Sequence, residues 1–259
     1  MTSFFVFLYG AIVGSFLNVC IYRMPREESI VKPRSKCVHC EKPIAWHDNI
    51  PLLSYIVLKG KCRSCGKGFS PRYFFVELVT AISWVFLWQR FGFTGHWTAG
   101  IILFSLLIAL TVTDLETGFL PDLLTFPGMF AGLVLSTLIP SLQGRVFWYE
   151  GFKDSLVGLL AGGLILLTIG LLGNAIYKKD TMGGGDIKLL AMLGAFLGVK
   201  KITLVFFLSP FFALPIALYV KFIQKEETIP YGPYIAIAGA ICFLYGQRWV
   251  EQYYFFQLF

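Results

Sequence analysis

Two short segments of this chain place a carboxylate beside residues that could assist hydrolysis. Asp114 follows an apolar run in "TVTDLETGFLPD", with Glu116 and Asp122 close by, and Asp186 follows three glycines in "TMGGGDIK". Ionisable residues at the ends of membrane-grade apolar runs are costly and are therefore candidates for function. Two carboxylates brought together share a proton, so one can act as base toward water and the other as acid toward a peptide carbonyl. The pair predicts aspartyl protease chemistry if the fold brings the two residues together.

The glycines before Asp186 suggest a role of their own. Gly183–Gly185 lack side chains, so an extended peptide could approach closely, and they permit the positive φ of a turn before a helix. Asp186 would then lie near the positive end of that helix, which favours a negative charge. Lys188 faces away from Asp186 on a helix, so we expect it to extend toward lipid headgroups rather than pair with that acid. For this segment alone, a plain helix cap at Asp186 is an equal alternative.

The composition indicates a membrane protein. The 259 residues are 56% hydrophobic and 14% charged, with a mean hydropathy of +0.70, whereas a soluble domain has about 25% charged residues. The excess of 22 Lys and Arg over 15 Asp and Glu is typical of cytoplasmic loops in such a chain, so nucleic acid is not expected as a partner. The first apolar run has no basic leader and no small-residue cleavage site, which argues against a cleavable signal peptide.

Apolar segments long enough to cross a lipid bilayer predict an all-α polytopic membrane protein with about eight transmembrane helices. The second segment contains Glu77, and the sixth is short. The segments cover residues 1–22, 73–89, 91–113, 123–144, 155–177, 189–199, 202–220 and 228–247. The chain therefore divides into a first helix at 1–22, a loop domain at 23–72 and a membrane core at 73–259.

The loop at 23–72 should face the cytoplasm because it carries eleven Lys and Arg residues, and basic loops stay on that side. The N-terminus would then lie outside. Counting helices from this loop, the third ends and the sixth begins at the cytoplasmic face. Asp114 and Asp186 are therefore predicted at the same depth on the same side, which favours chemistry over a helix cap.

Two cysteine pairs in the loop predict a structural zinc site. "CVHC" supplies Cys37 and Cys40, and "CRSC" supplies Cys62 and Cys65, in the spacing C-x2-C-x21-C-x2-C. Four thiolates suit a closed tetrahedral Zn²⁺ site, and a loop too short for its own core needs such a staple. Two disulfides are the alternative, which a cytoplasmic location disfavours. His39 could replace one ligand but is expected to be a solvated spacer.

Several segments together resemble the type IV prepilin leader peptidases, membrane aspartyl proteases of the GxGD class. They are "GSFLNVCIYRMP", the paired CxxC knuckles, "DNIPLLSY", "SPRYFFVEL", "DLETGFLPD", "MGGGDIKL" and "YGPYIAIAGA". The resemblance implies that Asp114 and Asp186 are the catalytic aspartates, with Gly183 and Gly185 completing the motif. Lys188, Asp122, Glu77, Arg72 and Asn18 are further residues read as supporting, and Asp122 could equally cap the fourth predicted helix.

The resemblance also implies a substrate, a second reaction and a location. Such an enzyme removes the short basic leader from prepilins or pseudopilins, after a glycine and before a hydrophobic stem, on the cytoplasmic side of the bacterial inner membrane. It then methylates the new N-terminal amine with S-adenosylmethionine. The residues themselves do not indicate this cofactor's site, because no Gly-rich cofactor fingerprint stands out.

Three other functions stay open at this stage. An ion-coupled transporter also uses paired acids within the membrane, although it predicts acids at mid-bilayer and an inverted repeat. A non-enzymatic assembly factor for a pilus or secretion machine would use the loop for docking and would leave the two aspartates replaceable. A protease without the methyl-transfer step is the third.

Overall fold

The computed structural model describes residues 1–178, 182–224 and 229–257, and within these ranges the regular structure is helical. Thr181 and Thr228, which belong to segments discussed above, lie outside the described residues. In chain order the helices are α1 (Thr2–Arg23), α2 (Leu53–Val57), α3 (Arg72–Phe91), α4 (Gly95–Thr117), α5 (Asp122–Leu138), α6 (Trp148–Tyr177), α7 (Gly184–Tyr219) and α8 (Gly232–Gln257). Short 3-10 turns cover Met24–Arg26, Trp46–Asn49 and Pro140–Gln143, and a π turn covers Val220–Gln224.

The chain forms two compact units, Met1–Ala109 and Leu110–Phe259. In the first unit α1 packs closely along α3 because glycines of α1 face the backbone of α3. A Cβ added at Gly10 would lie 2.8 Å from the Cα of Ala81, and one added at Gly14 would lie 2.7 Å from the Cα of Glu77. Small residues at such positions let helix backbones approach in a membrane, where packing rather than the hydrophobic effect drives association.

In the second unit α7 packs against α5, α6 and α8. The contact with α6 is made by backbone, since a Cβ added at Gly158 would lie 2.3 Å from the carbonyl oxygen of Gly194. One turn away, a Cβ added at Gly162 would lie 2.5 Å from the carbonyl oxygen of Leu190. The buried first half of α7 is therefore held at a fixed distance from α6.

The predicted helices at 189–199 and 202–220 are joined in one element, α7, with a kink between them. Gly198 has φ 75° and ψ 171°, which is not helical and which favours glycine. The kink falls within the predicted sixth segment rather than after it. α7 also begins earlier than the predicted segment, at Gly184, so it includes Gly184, Gly185 and Asp186.

Polar side chains satisfy the carbonyl groups that the kink removes from the helical hydrogen-bond pattern. The carbonyl of Ala195 accepts hydrogen bonds from Ser136 Oγ at 3.0 Å and Ser155 Oγ at 2.6 Å. Gln143 Nε2 donates to the carbonyl of Phe196 at 3.0 Å. Buried carbonyl groups need such partners, so these side chains make the kink a stable part of the fold.

Five helical stretches among the described residues are long and apolar enough to cross a membrane. They correspond to α1, α3, α4, α6 and α7, and α5 is a shorter apolar helix. The prediction of an all-helical membrane protein is confirmed. The total of about eight spans stays a prediction.

Candidate active site

Asp114 lies inside the last turns of α4 rather than after the helix, because α4 continues to Thr117. Its residue surface is only 6% exposed, and its Oδ2 accepts a hydrogen bond from the backbone N–H of Gly232 at 3.1 Å. Glu116, two positions further along α4, is exposed. The two acids of "TDLET" therefore point in different directions from the same helix, and only Asp114 is held by the start of α8.

Asp186 is the third residue of α7, and its backbone N–H donates to the carbonyl of Gly183 at 3.1 Å. Gly183 occupies the capping position, with φ −66° and ψ 131°, so the alternative in which Asp186 caps the helix is wrong. Glycine would permit positive φ at 183–185, but none of the three residues adopts it. Asp186 does lie in the first turn, where unpaired N–H groups create a positive end.

The fold brings Asp114 and Asp186 close enough for their charges to interact. Leu120 packs against both flanking segments. A Cβ added at Gly185 would lie 2.8 Å from the Cβ of Leu120, and one added at Gly232 would lie 3.5 Å from its Cδ1. Two carboxylates from the end of α4 and the beginning of α7 thus meet beside one leucine side chain.

The three glycines of the motif differ in what surrounds them. The space beside Gly185 is filled by Leu120, so the lack of a side chain there serves packing rather than approach of a peptide. The space beside Gly184 is open among the described residues, none of which has an atom within 4 Å of an added Cβ. A Cβ at Gly183 would lie 3.3 Å from Asp186 Oδ2. The exposed side of the motif is therefore at Gly183 and Gly184.

Tyr231 and Gly232 extend the site, and the sequence analysis gave neither a role. The Tyr231 hydroxyl is 2.8 Å from Ser209 Oγ. Tyr231 also lies close enough to Asp186 for the two groups to interact electrostatically. Both residues lie in the segment "YGPYIAIAGA", which could have pointed to them. The backbone donor of Gly232, however, is not revealed by any side-chain pattern.

Lys188 and Asp122 form an ion pair, with Lys188 Nζ 2.5 Å from Asp122 Oδ1. The same ammonium group lies 5.5 Å from the centre of the Phe126 ring. Lys188 therefore reaches toward α5, and the expectation that it extends toward headgroups is wrong. Asp122 is the first residue of α5 and makes no capping hydrogen bond; Pro121 is at the cap. The capping alternative for Asp122 is therefore also wrong.

The four cysteines of the loop converge as predicted. The sulfur atoms of Cys37, Cys40, Cys62 and Cys65 all lie within 4.8 Å of one another, and those of Cys37 and Cys65 are 3.9 Å apart. Tetrahedral zinc with Zn–S bonds of about 2.3 Å requires sulfur atoms about 3.8 Å apart. All four cysteines are unbonded, so the disulfide alternative is wrong and the cluster could hold a zinc ion.

The two knuckles have the same local structure. The N–H of Cys37 donates to the carbonyl of Lys42 at 3.0 Å, and the N–H of Cys62 donates to that of Lys67 at 2.8 Å. The backbone N–H groups of Cys65 and Ser64 also stabilise the Cys62 thiolate and lower its pKa to about 7. These contacts favour the thiolate form of Cys62, which is the form that metals bind.

His39 lies within the first knuckle but outside the group of sulfur atoms. Its ring Nε2 is 3.3 Å from the carbonyl oxygen of Gly68, which belongs to the second knuckle. His39 is therefore a spacer that contacts the other knuckle. Cys20 and Cys242 are buried in helices, as expected for small core residues.

Glu77 and Asn18 belong to the first unit, with α1 and α3. Glu77 is 7% exposed and its Oε2 accepts a hydrogen bond from the N–H of Leu52 at 2.7 Å. Asn18 Nδ2 donates to the carbonyl of Tyr73 at 3.0 Å. Arg72 begins α3, and its guanidinium lies 4.8 Å from the centre of the Tyr73 ring. These contacts lie within the first unit and share no residue with the aspartate site.

Known protein families match most of the chain. Residues 8–91 match the bacterial peptidase A24 N-terminal domain, and residues 101–218 match the type IV leader peptidase family. A prepilin leader peptidase/N-methyltransferase of Aeromonas hydrophila is 35% identical over 274 residues, covering 94% of this chain and 92% of the relative. The protein of that name from Pseudomonas aeruginosa is 34% identical, covering 95% and 91%.

A third relative of the same name, from Myxococcus xanthus, is 41% identical over 193 residues, which cover 74% of this chain and 55% of the relative. No solved structure matches significantly. The two matched domains contain the cysteine cluster and both aspartates, and the Aeromonas and Pseudomonas relatives match along nearly their whole length. This chain therefore belongs to the type IV leader peptidase family.

Proposed function

We propose that this protein is an aspartyl endopeptidase of the bacterial inner membrane that removes the short basic leader from type IV prepilins or pseudopilins. It also methylates the N-terminal amine that cleavage exposes, with S-adenosylmethionine as the methyl donor. The observation that carries the proposal is the meeting of Asp114 and Asp186 beside Leu120 in a member of a leader peptidase family. The names of its relatives support both reactions.

The cleavage step follows from the two carboxylates. One aspartate takes a proton from a water molecule as that water attacks the peptide carbonyl, and the other donates a proton to the carbonyl oxygen. The C–N bond then breaks and the leaving amine takes up a proton. The N–H of Gly232 holds Asp114 in position at 3.1 Å, and the first turn of α7 supports negative charge on Asp186.

The zinc site is proposed to hold the loop at 23–72 in one shape and to take no part in cleavage. Four cysteine ligands complete the coordination of Zn²⁺ and leave no position for water or substrate. The cluster belongs to the first unit, and the aspartates belong to the second. Loss of zinc should therefore loosen the loop without removing the two carboxylates.

The active site is proposed to face the cytoplasm, because the basic loop should stay on that side. Single cysteine reporters in intact cells test this orientation. A reporter within 23–72 should resist a membrane-impermeant thiol reagent, and one near Gly144 should react. The opposite labelling pattern would contradict the proposed orientation but not the fold described for each unit.

Asp114→Asn and Asp186→Asn test the catalytic assignment. Each keeps the size of the side chain but removes the shared proton, so each should abolish leader cleavage in a folded protein, measured by mass spectrometry of a prepilin substrate. The double variant should be no worse than either single variant, because the pair acts as a unit. Glu116→Gln, on the exposed side of α4, should retain most activity. Cleavage by either aspartate variant would refute the proposal and favour a role in assembly.

A further inference from the structure

A small cavity in the second unit lies where the loop after α5, the kink in α7 and the second half of α8 meet. Its volume is about 90 Å³, which is room for about three water molecules or for one group of the size of a phosphate. The polar and charged side chains of its wall are Gln143, Arg145, Asp154, Lys200, Lys201 and Gln247. The wall shares no residue with the aspartate site.

The cavity is far from the two aspartates. Gln247 of its wall and Gly232, whose N–H contacts Asp114, both belong to α8. The rise of a helix over the residues between them is about 22 Å. Two exposed tryptophans lie near the cavity along the chain, Trp148 at the beginning of α6 and Trp249 in α8. Tryptophan is enriched where a bilayer meets water, so these positions indicate that the cavity lies at the depth of lipid headgroups.

Lys201 is the buried cation of this wall. Only 6% of its surface is exposed, and its ammonium group, which has three donors, donates to the carbonyl of Leu142. In the described part of the chain no carboxylate forms an ion pair with it. The thiol of Cys242 lies near it but is only a weak acceptor. A buried charge without an opposite charge is costly, so an anion in the cavity would compensate Lys201.

The wall carries more positive than negative charge. Its charged residues are Arg145, Lys200, Lys201 and Asp154. Asp154 Oδ2 is 2.6 Å from Nε of Arg145, so the one acid of the wall is already paired. Two further acids lie outside the wall, where water screens them: Glu150 acts on Arg145, and Glu251 accepts a hydrogen bond from Gln247. A recess with an excess of one charge concentrates ions of the opposite sign, which here are anions.

The kink in α7 adds positive charge from the backbone. Because Gly198 is not helical, a second helical run of α7 begins after it, and Val199 at its beginning lines the cavity. The first turn of a helix carries N–H groups that have no partner within the helix, which give it a partial positive charge. Phosphate groups bind at such helix ends. The beginning of the second helical run and the buried Lys201 therefore line the same small space.

We propose that this cavity binds a phosphate group, held by Lys201, by Arg145 and by the beginning of the second helical run of α7. Arg145 bonds to Asp154 through Nε, so its two Nη groups can still donate to a phosphate. A phospholipid headgroup would present such a group at this depth, and basic pockets between membrane helices bind acidic headgroups. Free phosphate offers the same chemistry from solution. The inference does not depend on either of the proposed reactions.

Lys201→Met tests the inference in the full-length protein, purified in detergent with zinc. Methionine keeps an unbranched side chain but lacks the charge. Two ligands are titrated by calorimetry, inorganic phosphate and dihexanoyl phosphatidylglycerol. The affinity for whichever binds should fall about tenfold, the effect of losing one hydrogen bond to a charged group. Lys153→Met removes the same charge from an exposed residue outside the wall and should leave the affinity unchanged. Unchanged affinity in a folded Lys201→Met protein would overturn the inference.

Asp154→Asn gives a result of the opposite sign that does not depend on how Lys201→Met folds. It removes the acid of the wall, so the phosphate group should bind more tightly, whereas a purely structural role of these charges predicts no gain in affinity. Weaker or unchanged binding would overturn the inference. In the unmodified protein, binding of inorganic phosphate would identify free phosphate as a ligand, and binding of the lipid alone would identify the headgroup. Binding of neither would overturn the inference.

Discussion

Replacing Gly232 by alanine should displace the carboxylate of Asp114. The new Cβ would lie 2.6 Å from Asp114 Oδ2, whereas ordinary contact begins near 3.4 Å. The oxygen must therefore move by about 0.8 Å, and it loses the alignment of its 3.1 Å hydrogen bond to the Gly232 N–H. Because a misplacement of about 1 Å costs about a hundredfold in rate, we expect kcat for leader cleavage to fall about a hundredfold. That loss corresponds to about 2.7 kcal/mol.

The backbone at Gly232 should tolerate alanine, because its φ is not in the left-handed region. Thermal unfolding should therefore change little, and the loss should appear in kcat rather than in the amount of folded protein. Gly163→Ala is the matched control, since its Cβ would meet that of Ala191 at an ordinary 3.5 Å, and it should cleave at the normal rate. Normal kcat in Gly232→Ala would show that the position of the Asp114 carboxylate does not limit the reaction.

Three further predictions concern the zinc site, the ion pair and the glycine motif. Cys37→Ser should lose zinc and make the loop at 23–72 sensitive to protease. Acidification should release zinc from the unmodified protein because protons compete for the thiolates. Metal analysis that finds no zinc in the reduced protein would contradict the zinc site. Lys188→Met, which removes the half-exposed pair with Asp122, should lower stability by less than about 1 kcal/mol in thermal unfolding and leave cleavage nearly intact. Gly185→Ala should cost about 1–3 kcal/mol through overpacking against Leu120. In a Leu120→Ala background, which removes the side chain that the new methyl group meets, the same substitution should cost much less in thermal unfolding. An equal cost of Gly185→Ala in both backgrounds would argue against the clash.

The sequence predicted much of the helical structure because apolar runs of membrane length leave few other folds. The division of α7 was misjudged at the lysines. Lys200 and Lys201 separate the two apolar segments predicted at 189–199 and 202–220. In the structure Lys201 is 6% exposed, and its ammonium group donates to the carbonyl of Leu142. The actual interruption is at Gly198, where backbone conformation rather than charge breaks the helix.

The aspartates and cysteines of the candidate sites could be found from sequence because their chemistry depends on side-chain type and spacing. Their partners could not. The N–H of Gly232, which contacts Asp114, and the N–H of Leu52, which contacts Glu77, are backbone groups. Every residue but proline possesses such a group. Leu120 is an ordinary leucine until its contact with Gly185 is known. Sequence patterns identify reactive groups, whereas the contacts that position them require the fold.

The backbone contacts between α6 and α7 should make the first half of α7 rotate as a rigid segment about Leu190 when one contact is displaced. Leu190 meets α6 at Gly162, and Gly194 meets it at Gly158. Leu190 lies four residues from Gly194 and four from Asp186, so each of these residues is about 6 Å from Leu190 along the helix axis. A methyl group that pushed Gly194 outward by about 1 Å would rotate the helix about Leu190 and swing Asp186 by about as much in the opposite direction. Substitution two turns away from the aspartate would then reduce catalysis as strongly as a change beside it.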